Sequence, residues 1–436
     1  MNTKLKKTEI GLIPEDWEVK ELENYLDLLT YGFTNPMPSA EDGPYLITAK
    51  NVNNGKILFS SCRRTTQEAF DTLLTDKSRP MLNDVLVTKD GTLGRIGLVD
   101  KENCCINQSV ALLRPNNKII PKFLKYLLES PYYQARMNLD ARGTTIQHIQ
   151  ITVLKKMEVA IPSLTEQYKI VDIISKLDDK INTNQQMNRT LEAIGKAIFK
   201  HWFVHFEFPN ENGQPYKSSG GEMVDSKLGE IPGCWEVQEL GTVIETTGGG
   251  TPSTKKEEYW KKGNIKWFSP RDITRNNQMF ITNSEKNINN SGLKHSSARL
   301  FPPLSLMMTS RATVGELSIN TKEACTNQGF ITCIPNEKLS TYYLYFWIKM
   351  NKEHIISLSS GSTFREINKS TFRALNIIIP SNEVLSRYNS LSKPIFNQIK
   401  TLQAQNQELT QIRDSLLPKL MSGKIRVKKS LERAKI

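Results

Sequence analysis

Hydrophobic positions along the chain fall into two alternating regimes. In the first, short runs of four to six residues, often β-branched and bounded by Gly, Asn or Pro, predict strands. Examples are Tyr45-Leu-Ile-Thr48, Asp84-Val-Leu-Val-Thr88, Ile96-Gly-Leu-Val99 and Ser109-Val-Ala-Leu-Leu113. Later come Ile265-Lys-Trp-Phe268, Leu306-Met-Met-Thr309 and Gly329-Phe-Ile-Thr-Cys-Ile334. Helical patches, Pro121 to Tyr133 and Thr341 to Asn351, are interspersed. Each such stretch predicts a mixed α/β domain.

In the second regime the apolar spacing alternates between three and four. Ile170, Ile174, Leu177, Ile181, Leu191 and Ile198 share one seam, with Asn184, Asn188 and Gly195 at seam positions between them. Ser163 followed by Glu166 offers a capping box at the start. A second seam holds Ile395, Ile399, Leu402, Leu409 and Leu416, with Gln405 and Asn406 near its middle. So narrow a stripe buries only against another helix, and the central polar residues are placed to pair and fix the register. Two helices of about 35 residues, each following its own domain, predict an antiparallel intramolecular coiled coil, a rod on the order of 50 Å holding the domains apart. Packing of each helix on its own domain is the alternative. Pro394 is expected to start the second helix or to bend it.

The two regimes are written twice. Ile13-Pro-Glu-Asp-Trp-Glu-Val-Lys-Glu-Leu22 recurs as Ile231-Pro-Gly-Cys-Trp-Glu-Val-Gln-Glu-Leu240, seven identities in ten, 218 residues on. Thr88, Thr92 and Gly94 match Thr309, Thr313 and Gly315 at 221. Asn107-Gln108 matches Asn327-Gln328, Gly143-Thr-Thr-Ile-Gln-His-Ile149 resembles Gly361-Ser-Thr-Phe-Arg-Glu-Ile367, and Ile161-Pro162 matches Ile379-Pro380. The period is too long for a solenoid. The expected fold class is therefore α+β: two similar mixed α/β domains joined by two long antiparallel coiled-coil helices, pseudo-two-fold. The expected boundaries are 1–162 for the first domain, 163–207 for the first helical region, 208–380 for a linker and the second domain, and 381–436 for the second helical region and tail.

Composition adds a polyanion. The 436 residues carry 58 Lys+Arg against 45 Asp+Glu, a net charge of +13, which attracts nucleic acid and makes its binding salt-dependent. Two similar basic domains on a rigid spacer suit duplex DNA, which repeats every ~34 Å; being non-identical, they should read different half-sites. No apolar run approaches a membrane helix and the N-terminus has no signal-peptide core, so a cytoplasmic protein is expected. The six cysteines have no metal-ligand spacing and are read as reduced packing residues.

Motifs for chemistry are missing. The chain has no phosphate loop of the GxxxxGK[ST] kind and no Asn-Pro-Pro or Asp-Pro-Pro string of the amino-methyltransferase type. Gly91, Gly94 and Gly97 are not spaced as a dinucleotide fingerprint, and His201 and His205 flank Trp202 where a zinc protease needs Glu. The expectation is no catalytic centre and no metal.

These residues resemble the specificity subunit of type I restriction-modification systems. The likeness spans nearly the whole chain: the two Ile-Pro-x-x-Trp-x-Val-x-x-Leu openings, the two domain-closing segments, Ala197-Ile-Phe-Lys-His-Trp-Phe-Val-His-Phe-Glu207, and Arg413-Asp-Ser-Leu-Leu-Pro-Lys-Leu-Met-Ser-Gly-Lys-Ile425. The resemblance implies a subunit without catalysis of its own, whose two target-recognition domains each read half of an asymmetric bipartite DNA site. It implies helices that set the spacer and dock two methyltransferase subunits for adenine methylation, with two nuclease subunits joining for ATP-dependent cleavage. Cofactors would then lie on the partners: S-adenosylmethionine on the methyltransferase, ATP and Mg on the nuclease.

Side-chain chemistry nominates DNA contacts on loops after predicted strands. They are Lys50, Arg63, Arg64, Lys89, Thr92, Arg95 and Gln108 in the first domain, and Arg271, Arg275, Arg311 and Thr313 in the second, with Thr144, Gln147, Thr363 and Arg365 in the closing segments. Trp17 and Trp235 are read as core anchors. The seam is assigned to Ile174, Leu177, Ile181, Leu191, Ile399, Leu402, Leu409 and Leu416. Rival readings are a free-standing bipartite DNA-binding regulator, an enzyme with an unrecognised site, and a scaffold without nucleic acid.

Overall fold

The structure is a computed structural model and describes residues 4–139, 148–361 and 365–427. It divides into two units, Met1–Ile181 with Glu408–Ile436, and Asn182–Gln407. Each unit combines one copy of the α/β domain with part of each long helix.

The duplication holds strand by strand. The hairpin Leu5–Thr8/Gly11–Pro14 recurs as Met223–Ser226/Gly229–Pro232. The antiparallel pair Glu18–Glu21/Glu158–Ile161 recurs as Glu236–Glu239/Asn376–Ile379, so each domain's opening strand is tied to its closing one. The main sheet of the first unit runs Ile96–Leu98, Val85–Thr88, Val110–Pro115, Leu26–Tyr31. That of the second runs Leu317–Asn320, Leu306–Thr309, Phe330–Ile334, Glu245–Thr247, with Phe280–Ile281 added at one edge. A smaller sheet in each pairs two strands in parallel, Cys104–Ile106 with Ala40–Ile47 and Ala324–Thr326 with Ile265–Phe268. The central main-sheet strands are buried on both faces, matching their continuous apolar runs. Trp17 and Trp235 are core residues, 1% and 4% exposed. Burial pushes the thiols of Cys104, Cys105, Cys325 and Cys333 up to about 12, which keeps them protonated packing groups.

The helical patch expected over Pro121 to Tyr133 is two helices, Pro121–Glu129 and Pro131–Leu139. Pro131 forces the preceding Ser130 out of the helical region, to φ −66°, ψ 148°.

The long helices span Leu164–Phe203 and Asn382–Met421, 40 residues each. The second does not begin at Pro394, one of the two outcomes expected for that proline, and its helical assignment is continuous through it. It starts twelve residues earlier and continues through the proline, which sits on an exposed face, where solvent can serve the carbonyl that loses its intrahelical donor. Ser163 Oγ accepts the Glu166 N–H at 3.4 Å, but the Glu166 carboxylate turns to Arg426 and Trp17 rather than to the helix start.

Within each unit the two helices run antiparallel. In the first unit, Glu166 meets Arg426 and Asp178 meets Arg413; in the second, Asn184 meets Asn406 and Phe199 meets Tyr388. Ile174, Ile181, Ile399 and Leu402 are buried; Leu177, Leu191, Leu409 and Leu416 are half-buried. The central polar pair is present: Asn184 Nδ2 donates to Asn406 Oδ1 at 3.0 Å and to Gln405 Oε1 at 3.4 Å. Asn184 and Asn406 are buried, whereas Gln405 is exposed and lies beside the seam rather than in it. Gly195 lets the helix approach the domain: a Cβ there would stand 2.7 Å from the Phe346 ring, itself fixed among Phe199, Tyr345 and Phe396.

Two outcomes are expected in chemical denaturation. Gly195→Ala, which would stabilise an exposed helix, should destabilise this one by about 1–3 kcal/mol because Phe346 has nowhere to move. Asn184→Ala should cost about 1–3 kcal/mol by removing a buried hydrogen-bond donor to Asn406 Oδ1. Leucine at both 184 and 406 should cost less than alanine at 184 alone, since it removes both buried amides together and, among the described residues, Asn184 Oδ1 has no hydrogen-bond partner even in the native pair.

Candidate nucleic-acid interface

The repeated Thr-x-x-x-Thr-x-Gly string builds a turn. In the first unit it joins Val85–Thr88 to Ile96–Leu98. The fully buried Thr88 Oγ1 accepts the Arg95 N–H at 2.9 Å and donates to the Thr92 carbonyl, while the Gly94 N–H reaches the Thr88 carbonyl at 2.8 Å. In the second unit, Thr309 Oγ1 accepts from the Glu316 N–H at 3.0 Å and donates to the Thr313 carbonyl, and the Gly315 N–H reaches the Thr309 carbonyl at 2.9 Å. Gly94 and Gly315 take the left-handed φ that this loop needs. At the loop tip Gly91 has φ +78°, but its counterpart is Ala312 at +62°.

Three further segments meet this loop in each unit. Lys89 N–H donates to Ser109 O and Ile149 N–H donates to Lys89 O, both at 2.9 Å. Ser310 N–H donates to Gly329 O at 2.8 Å, and Ile367 N–H to Ser310 O at 3.0 Å. The turns after Asn107 and Asn327 are held by their own side chains, Asn107 Oδ1 accepting from Ser109 and Asn327 Oδ1 from Gly329. Behind them lies a short helical turn with a complete capping box, Thr48 with Asn51 and Ser269 with Asp272. Ala49 N–H donates to Ser109 Oγ at 3.1 Å, and a Cβ on Gly329 would lie 2.9 Å from Pro270.

Lys50 and Arg271 occupy the same place in this frame, exposed on the capped turn. Their equivalence was missed from sequence, although the hydroxyl-x-cation-amide/acid string (Thr48-Ala-Lys-Asn51, Ser269-Pro-Arg-Asp272) repeats at the same 221-residue offset as the threonines.

Most nominated residues are thereby brought together. In the first unit they are Lys50, Lys89, Thr92, Arg95 and Gln108; in the second, Arg271, Arg311, Thr313 and Arg365. Thr92, Gln108, Thr313 and Arg365 are exposed. Lys89 is partly engaged, 2.8 Å from Asp90 and over the Tyr31 ring, and Arg95 donates to the Val52 carbonyl at 3.3 Å. The nominations omitted Gln328 and Thr251; both are exposed and joined at 2.8 Å. Gln328 is the counterpart of Gln108, so the repeat itself carried the signal.

Other nominated residues stand apart. Arg64 is spent on Asp42 at 2.7 Å, the Gly43 carbonyl and the Tyr45 hydroxyl, and it covers the Tyr45 ring; Arg63 beside it reaches Ser39. Arg275 pairs with Glu285 at 3.2 Å. Thr144, Gln147 and Thr363 lie outside the described residues.

The two frames display different charges. Lys89, Asp90 and Arg95 of the first unit are replaced by Ser310, Arg311 and Glu316 in the second, Glu316 being neutralised by Lys352 at 2.8 Å. Clustered cations, amides and hydroxyls on pinned loops can contact phosphates and hydrogen-bond base edges. Among the described residues no group of three or more His, Cys, Asp and Glu could hold a metal ion, and no helix is long and apolar enough to cross a membrane. His201 and His205 are exposed at the end of the first long helix.

Duplicated α/β domains, each with its own set of polar and cationic loops and each packed on parts of two long helices, define the class of protein. Residues 14–193 and 232–414 match the type I restriction modification DNA specificity domain, and the chain belongs to that family as a type I specificity subunit. It is 26% identical to the MjaIX specificity subunit of Methanocaldococcus jannaschii over 98% of this chain and 97% of that one. It is 29% identical to the HindI specificity subunit of Haemophilus influenzae, covering 75% and 82%. The crystal structure of a type I restriction-modification S subunit from M. genitalium shares the fold, with TM-score 0.55 and 20% identity over 96% of this chain and 99% of that one.

Thr88→Val or Thr309→Val keeps the buried shape but removes the hydroxyl that ties the loop. Each should cost about 1–3 kcal/mol in thermal or denaturant unfolding, whereas Thr92→Val and Thr313→Val, at exposed positions, should cost little.

Proposed function

We propose that each unit reads one half of an asymmetric bipartite site in duplex DNA, and that the chain is non-catalytic alone. The observation that carries this reading is one backbone frame, repeated in both units, displaying different side chains at equivalent loop positions. Equal frames suit the same kind of ligand; unequal side chains suit unequal half-sites. The net charge of +13 supports a polyanionic partner.

The long helices are the proposed spacer, and with the segments after them the docking surface for two methyltransferase subunits that carry S-adenosylmethionine and methylate adenine. Two nuclease subunits, using ATP and Mg, would complete a restriction complex in the cytoplasm. Residues 1–162 and 208–380 serve in this reading as the recognition domains, and 163–207 and 381–436 as the helical regions.

The test is to co-express the chain with its neighbouring methyltransferase and map adenine methylation across the host genome. One asymmetric motif, two short blocks around a fixed gap, is expected. An active methyltransferase with no new motif would favour a free-standing regulator or scaffold.

Two variants sharpen the test. One heptad inserted beside Asn184, with a matching one beside Asn406 to preserve their pairing, should lengthen the gap by about three base pairs, from about 10 Å of added helix. Both half-sites should stay the same; an unchanged gap would show that the helices are not the ruler. Exchanging residues 1–160 with those of another family member should alter one half-site only, and changes in both would refute independent readers.

A further inference from the structure

In the second unit one cation is held differently from the rest. Arg311 lies on the loop between Leu306–Thr309 and Leu317–Asn320, and its side chain remains 47% exposed. Its Nε donates to Glu366 Oε1 at 2.6 Å. The backbone on both sides of this pair is pinned. Arg311 and Glu366 form an antiparallel bridge; Ala312 N–H donates to Arg365 O at 2.9 Å and Ile367 N–H to Ser310 O at 3.0 Å. Glu366 also exchanges both backbone hydrogen bonds with Ser360, at 2.8 and 2.9 Å. Ala312 takes φ +62°, a conformation costly for a residue with a Cβ, where the first unit has Gly91.

A carboxylate bound at Nε fixes the plane of the guanidinium and leaves the two terminal nitrogens side by side. These donate to no other group among the described residues. Two parallel donors in a fixed plane complement the O6 and N7 acceptors on the major-groove edge of guanine. Pre-ordering the side chain lowers the entropy lost on contact.

We propose that Arg311 reads a guanine in the half-site recognised by the second unit, and that Glu366 is its positioning residue; this rests on the bipartite-reader function proposed above. The first unit has Asp90 at the equivalent position, bridged to His148 and paired with Lys89, so the effect belongs to one half-site. Among the described residues, the exposed Arg271 and Arg365 have no such clamp.

The experiment uses the full chain co-expressed with its methyltransferase. For every position of the motif it compares methylation at cognate sites with methylation at sites carrying one substituted base pair. Exchanging residues 208–380 with those of a relative identifies the half-site in question. Arg311→Ala should reduce discrimination at a single G·C position of that half-site by roughly tenfold or more, leaving the other half-site intact as an internal control of folding. Arg311→Lys keeps the charge but loses the fork, so it should relax the same position, and it carries the comparison should Arg311→Ala abolish methylation. Glu366→Ala should relax that position too, whereas Glu366→Gln, which retains an acceptor, should preserve most of the preference.

Uniform weakening across all sequences would make Arg311 a phosphate contact and overturn the proposal. An unchanged motif, or a half-site without a G·C pair, would overturn it as well. A wild-type complex with no bipartite motif would overturn the underlying function and the inference with it, whereas a bipartite wild-type motif left unrelaxed by these variants overturns the inference alone.

Discussion

The narrow apolar stripe on each long helix is the constraint from which the architecture follows. A stripe of that width is buried only against a second helix, and the second helix comes from the other half of the sequence. The first unit is consequently discontinuous in the chain, residues 1–181 with 408–436, while the second, 182–407, is continuous but closes on itself through both helices. The core of the first includes Ile170 and Ile174 from one helix and Leu417, Leu420 and Met421 from the other. The core of the second includes Phe199, Trp202 and Phe203 together with Tyr388, Phe396 and Ile399. Neither core is closed by its own domain. In the second unit the Asn184–Asn406 pair interrupts the stripe, and a slip of either helix would set a buried amide against hydrocarbon, a cost large enough to select one register.

The segments that follow the helices close the two cores by different chemistry. After the second helix, Arg426 grips Asp16 through two nitrogens and Glu166 through two, while Glu166 also accepts from Trp17 Nε1. The two carboxylates hold the guanidinium well above its usual range. At the corresponding place after the first helix stands Phe208, stacked on Trp235 with ring centroids 4.8 Å apart. An ionic clamp and an aromatic stack do not substitute for each other: Arg426 against Trp235 would lose both carboxylates, and Phe208 against Trp17 would offer neither Glu166 nor Asp16 a cation. Of the clamp, Arg426 and Glu166 are shielded from solvent while Asp16 is largely exposed; removing one partner of the shielded pair is costly because it leaves the other charge uncompensated.

Much of this was legible because the duplication allowed each half to check the other. The strands, the core tryptophans, the seam and its polar centre all came from spacing alone. Where the second helix starts was not legible at Pro394, because a proline on an exposed face can be carried inside a helix and spacing does not report exposure. The partners of Arg63, Arg64 and Arg275 were not legible for a related reason: a cation looks free in the sequence until Ser39, Asp42, Tyr45 or Glu285 is found beside it. The equivalence of Lys50 with Arg271 was written in the sequence but spans segments with little identity, and only the paired capping boxes align them.

The division of labour within the loops explains how two readers of one fold come to differ. The frame is made by groups that point inward or belong to the backbone: the hydroxyls of Thr88 and Thr309, the side chains of Asn107 and Asn327, the capping boxes, and the carbonyls of Ser109 and Gly329. Each pays for itself through a buried hydrogen bond, so changing one costs stability. The displayed groups differ between the units, Lys50 or Arg271, Asp90 or Arg311, and Arg95 or Glu316, and at the last two positions the charge changes sign on the same backbone frame. Ala312 is an exception that supports the rule: a left-handed alanine persists beside Arg311 only because the closing segment holds the loop on both sides, and strain of that kind accumulates where a side chain must be aimed.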